Sequence, residues 1–459
     1  MGLIGRRFPV ARLARLTSII LAFLALAADE LPAQAKTTRQ APVDGLIYDL
    51  KNPDPVRRRE AARTLGDNKI QRATPDLVAV ADDTDVEVRR EIVIALGKMS
   101  DVRALPAFVK LSIDREKEIR ERCLRGILGL YLPQESGIVP TVSKVADFFN
   151  PWSDEWAEVV VEPGLRVDPT AVDAFRARLA DSEESLRIQA ARGLGILKAR
   201  SAVPALVGSV RQDTSNAVKF EAIRALRKVG DPSVGPDLMN YLRYGDPKVR
   251  DETVYALGRL RYREAVPELM SLYQEESTKP RKQRDSAYAE RLLDAIAFIA
   301  DPASRDLLVK EKQNPNEALR LRACEGLARL ADTTLVTEMS RDYLREKDAK
   351  VRAAQAFALY RMGRKEYLEV IGTALESRKA SDGVRQYLVE FRPAEVPDLY
   401  TLAKRDSVDV RQAVAEALGH IGDAQAIPVL QELSKDSRGQ VASNANQAIR
   451  RINARASSN

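Results

Sequence analysis

The chain has 459 residues, of which 45% are hydrophobic, 30% are charged and only 5% are aromatic. Its 73 basic and 66 acidic residues nearly balance, which argues against a concentrated basic face for nucleic acid. A single histidine and two cysteines argue against a catalytic triad, a histidine-rich metal site or a zinc site. We therefore expect no catalytic residue, no metal, no cofactor and no nucleic-acid partner.

The first 35 residues have the pattern of a secretory signal peptide. Basic residues open the chain, an apolar run follows over Ile19–Ala28, and Ala33 and Ala35 mark a small-residue cleavage site before Lys36. The apolar run is too short for an ordinary membrane span, although an uncleaved anchor is an alternative. We expect cleavage after Ala35, a periplasmic or secreted mature chain, and no transmembrane segment after cleavage.

One pattern then returns about every 31 residues, which is typical of a stacked helical array. A basic residue begins each copy, and in five copies a Gly follows eight positions later and a Pro seventeen positions later, as in Arg89, Gly97 and Pro106. In one copy Arg227 replaces the Gly. The basic residues of this register are Arg58, Arg89, Arg120, Arg187, Lys219, Arg250, Arg320, Arg352, Arg385 and Arg411.

A single copy shows how the pattern makes a helical hairpin. Asp85 is a candidate N-cap, and Val86–Leu96 carries apolar residues on one helical face. Gly97 is placed to end this helix in a left-handed turn, and Pro106 suits the first turn of a second helix over Ala107–Ile113. Two such short helices cannot bury their apolar faces alone, so stacked neighbours must complete the core.

An Asp precedes the basic residue by four positions in several copies. These pairs are Asp54 and Arg58, Asp85 and Arg89, Asp246 and Arg250, and Asp348 and Arg352. A cation in the first helical turn opposes the helix dipole, and a nearby carboxylate offsets that effect. We predict a structural ladder in which each Arg pairs with an Asp of its own or the next repeat. A row of arginines that lines a binding groove is the alternative.

The stretches Asp85–Leu111 and Ser407–Leu433 resemble HEAT repeats, and more narrowly the short HEAT-like repeats first named for phycobiliprotein bilin lyases. The resemblance covers roughly residues 43–131 and 171–452. It implies an all-α fold, a right-handed α-solenoid of about twelve helical hairpins whose second helices build a concave face. It divides the chain into repeats over residues 36–131, an irregular insertion over 132–170, and repeats with a polar C-terminal cap over 171–459.

The insertion concentrates aromatic residues in a chain that has few. Phe148, Phe149, Trp152 and Trp156 lie close together in it. Exposed Trp and Phe side chains anchor protein interfaces, so these four residues are candidates for binding a partner. Two alternatives stay open. The segment folds back onto its own array, or the two tryptophans form a platform for carbohydrate.

Three further features have structural interpretations. The charged stretch Tyr273–Arg291 is predicted to be a long solvated loop, with a patch for an anionic partner as the alternative. Cys123 and Cys324 occupy apolar helix positions and are predicted to be buried thiols. His420, the one histidine, is expected in a turn between helices.

The class that the repeats resemble consists mostly of scaffolds and adaptors, and the sequence has no catalytic constellation. We therefore predict an exported, non-enzymatic HEAT-repeat scaffold that binds a protein or peptide. Two alternatives remain. One is an enzyme or accessory subunit of the bilin-lyase type, and the other is an envelope protein that binds glycan.

Overall fold

The structure is a computed structural model that describes residues 42–132, 156–377 and 379–456. Within these ranges it forms 24 α-helices and no strand. The chain divides into two compact units, Met1–Leu130 and Tyr131–Asn459. Several predicted residues lie outside the described ranges, namely Ala33, Ala35, Phe148, Phe149 and Trp152.

The first unit begins with helix α1 over residues 42–49. The helices that follow are α2 (Pro55–Asp67), α3 (Thr74–Ala79), α4 (Val86–Met99), α5 (Leu105–Leu111) and α6 (Lys117–Tyr131).

The second unit has two rows of helices that alternate along the chain. The flanking row consists of α7 (Pro169–Arg178), α9 (Val203–Gln212), α11 (Gly235–Met239), α13 (Val266–Thr278), α15 (Arg305–Glu311), α17 (Val336–Arg345), α19 (Tyr367–Leu375), α21 (Val396–Leu402) and α23 (Ile427–Leu433). The central row consists of α8 (Glu184–Ile196), α10 (Asn216–Val229), α12 (Pro247–Arg259), α14 (Ser286–Ile299), α16 (Glu317–Leu330), α18 (Ala349–Arg361), α20 (Ser381–Val389), α22 (Val408–Ile421) and α24 (Gly439–Ala456).

Each central helix packs against the next central helix, and each flanking helix packs against the central helix that follows it. The apolar positions of the repeat supply the core between the rows. Leu226, Leu257, Leu293 and Leu418, for example, are fully buried on four central helices. Every hairpin therefore completes the core of its neighbour. The predicted all-α fold of stacked helical hairpins is confirmed.

The repeated Gly does not end the first helix of the hairpin, so the prediction for Gly97 is wrong. Helix α4 continues to Met99, and the left-handed residue is Ser100, with φ 49°. In other copies the Gly lies where two central helices touch. A Cβ added to Gly258 would stand 2.8 Å from Cα of Ala295. The missing side chain therefore permits a close approach between helices.

The predicted helix starts are confirmed. The Asp85 carboxylate accepts from the backbone N–H groups of Glu87 and Val88 at 2.8 and 3.1 Å, which caps α4. Pro106 lies in the first turn of α5, where its missing N–H leaves no acceptor unpaired. The other three Asp residues of the predicted ladder are N-caps in the same way: Asp54, Asp246 and Asp348.

A second set of carboxylates pairs with the register arginines. Nε of Arg58 donates to Asp83 at 2.6 Å, and its Nη1 donates to the carbonyl oxygens of Asn52 and Pro53 at 2.9 and 3.0 Å. Asp83 also accepts from the backbone N–H of Asp85 at 2.9 Å. We call this arrangement a rung. The other rungs are Arg89–Asp114, Arg187–Asp213, Arg320–Glu346 and Arg411–Asp436.

Two arginines of the predicted ladder form no rung. Arg250 pairs instead with the adjacent Asp251 at 2.9 Å and lies 3.8 Å above the ring of Tyr288. Arg352 lies 5.2 Å above the ring of Tyr343. In the four predicted pairs, the Asp four positions earlier caps the helix and the Arg contacts other groups.

The stretch Tyr273–Arg291 is mostly helical, so the predicted long loop is wrong. Helix α13 extends to Thr278 and α14 begins at Ser286. The buried Glu276 carboxylate holds the short connection, because it accepts from the backbone N–H of Asp285 at 2.6 Å. The charged residues of this stretch are mostly exposed, and their pattern in the sequence does not show that the Glu276 carboxylate is buried.

The remaining predictions concern single side chains. Cys123 and Cys324 are buried and free, as predicted. Burial raises the pKa of both thiols. His420 lies in the last turn of α22, so its predicted place in a turn between helices is wrong. None of the described helices combines the length and the apolar character that a membrane span requires.

Candidate functional site

An irregular segment, residues 156–165, crosses several central helices of the second unit, and we call it the strap. Its first part is tied to α8 and α10. The buried Nζ of Lys228 donates to the backbone carbonyl of Trp156, and the backbone N–H of Val161 donates to the carbonyl of Ile196 at 2.9 Å. Backbone hydrogen bonds therefore fix its path, although the strap forms no regular secondary structure.

The second part of the strap contacts α24, the last helix of the chain. Nε of Arg451 donates to the Glu162 carboxylate at 2.7 Å, and Nη2 does so at 3.1 Å. Gly164 has φ 85°, and a Cβ there would stand 2.7 Å from the backbone of Ala454. The strap therefore touches both the first and the last central helix of the second unit.

Trp156 begins the strap with its side chain buried and only 2% of the residue exposed. It therefore offers no exposed ring to a partner, in contrast to the prediction for this residue. The proposed carbohydrate platform fails for the same reason, since it requires both tryptophan rings at the surface. The large apolar ring of Trp156 is instead removed from water, which stabilises the fold.

A cavity of about 540 Å³ opens beside the strap, and we call it the arginine–tyrosine cavity. Helices α10, α12 and α14 and the strap build its wall. The residues that line it are Ala157, Glu158, Phe220, Arg224, Arg227, Lys248, Asp251, Glu252, Tyr255 and Arg291.

Arg227 is the centre of the cavity wall, with a side chain that is 5% exposed. Its Nε donates to Glu252 at 3.0 Å, and its Nη2 donates to the backbone carbonyl of Ala157 at 3.0 Å. Nη1 lies 3.0 Å from the carboxylate of Glu158 on the strap. The guanidinium group also stacks 4.6 Å above the ring of Tyr255. One cation thus joins two central helices to the strap.

Further ionisable groups lie in and behind the cavity wall. Arg192 and Glu221 form an ion pair at 2.7 Å with side chains only 0 and 1% exposed. Such pairs need full hydrogen bonding to offset their desolvation. Burial raises the pKa of the Glu252 carboxyl and lowers the pKa of the Lys228 ammonium to about 7.

The outer edge of the cavity is more exposed. Nη1 of Arg291 donates to the Asp251 carboxylate at 2.9 Å, and 41% of the Arg291 side chain is exposed. Lys248 completes this edge. Among the described residues, the lining carries four cationic and three anionic side chains, and one of the anions, Glu158, is 67% exposed. The cavity can bind an anion by replacing that carboxylate.

The lining combines guanidinium groups with aromatic rings, so it suits a ligand that carries negative charge and a flat surface. Guanidinium groups bind carboxylates through paired hydrogen bonds and also stack on rings. The described residues contain no group of three or more His, Cys, Asp or Glu side chains arranged to hold a metal ion.

Sequence reasoning did not select these residues. One signal was available, because Arg227 occupies the position where five other copies have Gly. That position faces the next central helix, so a long cation there must contact it. The strap contact could not be read in the same way, since 69 residues separate Glu158 from Arg227.

The repeats can now be compared with known proteins. The sequence pattern of the HEAT repeats matches residues 43–127, 172–245, 209–289 and 384–450, which together make up more than half of the chain. This chain belongs to the HEAT-repeat family. The matched stretches of this HEAT-repeat chain include the cavity residues of α10 and α12 and leave out the strap.

Two curated relatives share part of the HEAT-repeat chain. The bilin biosynthesis protein PecE of Nostoc sp. strain PCC 7120 is 28% identical over 171 residues, which are 37% of this chain and 65% of that protein. The protein of the same name from Mastigocladus laminosus is 28% identical over 155 residues, which are 34% of this chain and 55% of that protein. The HEAT-repeat chain thus spans less than two thirds of each relative.

Among solved structures, yeast importin-beta (Kap95p) has a TM-score of 0.51 with the HEAT-repeat chain. The likeness covers 96% of this chain and 65% of that one at 12% sequence identity. At this identity the likeness concerns the fold alone, and it agrees with the stacked hairpins described above.

The names of the relatives correct one expectation. We expected a protein that is not an enzyme, because the sequence lacks catalytic motifs. Both curated relatives are bilin biosynthesis proteins, which contradicts that expectation, so it is wrong. The reason is physical: a reaction that depends on holding and orienting a ligand needs no histidine, zinc ligand or phosphate loop.

Proposed function

We propose that this chain is a HEAT-repeat protein of the bilin-lyase type. It holds an open-chain tetrapyrrole in the arginine–tyrosine cavity and binds a partner polypeptide along its helices. The two bilin biosynthesis relatives support the ligand class. The observation that carries the proposal is the set of guanidinium groups beside the Tyr255 ring in a single cavity.

The cavity matches such a ligand in charge and in shape. An open-chain tetrapyrrole is a conjugated chain that carries two propionate groups. The guanidinium groups of the lining can form paired hydrogen bonds with carboxylates, and the rings of Tyr255 and Phe220 can pack against a flat conjugated surface. A cavity of about 540 Å³ is also within the usual size of small-molecule sites.

The strap already shows how a carboxylate sits in this cavity. Glu158 lies 3.0 Å from Arg227, yet two thirds of its side chain is in solvent. A propionate that replaces Glu158 therefore displaces a carboxylate which keeps most of its hydration. Arg291 and Lys248, at the outer edge, are placed to meet the second propionate.

Titration with biliverdin tests this proposal. We expect the purified chain to bind biliverdin with a change in its visible spectrum, and to bind biliverdin dimethyl ester far more weakly. The variants Arg291→Gln and Lys248→Gln should each raise the Kd roughly tenfold, because a hydrogen bond to a charged group contributes roughly 1.5 kcal/mol.

A matched control comes from helix α7. Arg176 is 45% exposed, pairs with Asp173 and lies outside the cavity lining, so Arg176→Gln should leave the Kd unchanged. Equal affinity for the acid and the ester would contradict the proposal. So would an Arg291→Gln, Lys248→Gln double variant that binds biliverdin as well as the unmodified chain does.

We further propose that the chain is exported and meets a protein partner in the periplasm or outside the cell. The basic start, the apolar run and the small residues of positions 1–35 support this. Expression of the full chain in a bacterial host should give a periplasmic protein that begins at Lys36. Replacing both Ala33 and Ala35 by Asp should block that cleavage. A cytoplasmic product with residues 1–35 intact in the unmodified chain would contradict export.

A further inference from the structure

The rung that should follow Arg352 lacks its carboxylate. In the five complete rungs the acid lies 25 or 26 residues after the arginine. The corresponding positions after Arg352 are occupied by Ser377 and Arg378, neither of which is acidic. The repeat therefore places a guanidinium group here without the anion that it has elsewhere.

In place of a rung carboxylate, Arg352 makes only weak contacts with Tyr343. Its guanidinium group lies above the ring of Tyr343, and Nη2 is 3.5 Å from the phenolic oxygen. No carboxylate of the described residues lies within ion-pair distance of Arg352. The residue is exposed, whereas the rung arginines are half-buried.

A second cavity, of about 480 Å³, opens next to this arginine, and we call it the Arg352 cavity. Helices α17, α18 and α19 supply most of its wall. The wall is largely apolar, with Ala349, Ala353, Val370 and Ala374 among its side chains. None of its described lining residues also lines the arginine–tyrosine cavity.

A second arginine completes the polar side of the Arg352 cavity. Nη2 of Arg405 is 3.3 Å from Glu369 and 3.5 Å from the hydroxyl of Thr373, both long for a charge-assisted hydrogen bond. Its Nη1 is buried and has no hydrogen-bond partner within the part of the chain that the structure describes. Gly372 leaves room for this atom, since a Cβ there would stand 2.1 Å from it.

We propose that the Arg352 cavity binds a small carboxylate with an apolar body. The carboxylate accepts from Arg352 and Arg405 and so supplies the acid that this rung lacks. The hydrocarbon part of the ligand packs on the alanine and valine side chains. The described residues of the lining include two guanidinium groups and one carboxylate, Glu369, so one added negative charge balances these groups.

The probe for this site is 4-phenylbutyrate, and its uncharged amide is the control ligand. Calorimetry on the full chain should show saturable binding of the acid and at least tenfold weaker binding of the amide. The variants Arg352→Gln and Arg405→Gln should each weaken binding of the acid at least fivefold. Arg352→Gln removes no ion pair with the residues that the structure describes, so its melting temperature without ligand should stay unchanged.

Three further measurements guard against misfolding and separate the possible sources of the carboxylate: binding by a control variant, competition by inorganic phosphate and binding of a capped peptide. Arg176→Gln, on a distant hairpin, should bind the acid normally. Equal binding of acid and amide, or unchanged binding by Arg352→Gln, overturns the proposal. Inorganic phosphate that competes fully with the acid overturns the requirement for an apolar body. A capped peptide with one Glu that binds while 4-phenylbutyrate does not overturns the small-molecule source.

Discussion

At the scale of single residues, the Gly of the repeat has a packing role that its position alone does not reveal. Gly258 lies against the backbone of the next central helix, whereas a Cβ on Gly97 would have no atom within 4 Å. The two glycines occupy the same register position, eight residues after the basic residue. The same substitution should therefore have opposite effects in the two copies.

We expect Gly258→Ala to destabilise the chain by about 1–3 kcal/mol, because the new methyl group must push Ala295 aside. Gly97→Ala should stabilise it by roughly 0.5–1 kcal/mol, since Ala loses less backbone entropy in a helix. Urea unfolding with an unchanged slope measures both effects. A similar loss in the two variants would show that the Gly acts through local conformation and not through the helix contact.

The glycines also show how far the sequence could be read. Asp85 and Pro106 were placed correctly, because N-caps and first-turn prolines act through atoms two to four residues away. Gly97 was misplaced, since a helix-ending Gly and a close-approach Gly follow the same local pattern. The arginine–tyrosine cavity was missed because Arg227 meets Glu158 across 69 residues, at a distance that no repeat period encodes.

At the scale of elements, the rungs hold each hairpin to its closing loop. Hydrogen bonds from Arg411, and then from the backbone N–H of Arg438, lower the pKa of the Asp436 carboxyl. A carboxyl with a pKa below its unfolded value stabilises the fold above that unfolded value, which is about 3.9. This stabilisation disappears as the pH falls through the folded pKa.

We expect Arg411→Gln to cost about 1 kcal/mol at neutral pH, because it leaves a mostly buried carboxylate without its charged partner. The cost should shrink as the pH is lowered below about 4, where Asp436 becomes protonated in the unfolded chain. Thermal unfolding from pH 2 to 7 measures this. Lys435→Gln, which removes an exposed pair with Glu432, is the control and should show almost no change. A cost for Arg411→Gln that is independent of pH would contradict the role given to the rung.

At the scale of the whole molecule, the strap is the feature that local repeats do not explain. It contacts α8 and α10 at one end and α24 at the other. Glu162 of the strap therefore accepts hydrogen bonds from Gln447 and Arg451, which follow it in the sequence by 285 and 289 positions. The repeat pattern predicts contacts only between neighbouring hairpins. In the second unit the strap adds a contact between its two ends.

Removing the contact between Glu162 and Arg451 should loosen both ends of the second unit together. A double-mutant cycle of Glu162→Gln and Arg451→Gln should give a coupling of about 0.5–1 kcal/mol, as expected for a half-exposed pair. Hydrogen exchange should rise in α24 and in the strap at the same time. Arg450→Gln, at an exposed neighbouring position, should change neither. Faster exchange in α24 alone would show that the strap does not depend on this pair.

The rungs also affect how the number of hairpins in such a chain can change during evolution. The arginine that opens a hairpin and the acid that closes it lie within one repeat, so the connection is complete before the next hairpin begins. A whole hairpin can therefore be duplicated or deleted without dividing a rung between two repeats. Such a change would still break the pairs that join neighbouring hairpins, such as Arg192 with Glu221 and Arg227 with Glu252, so the rungs alone leave the length of the array free to evolve.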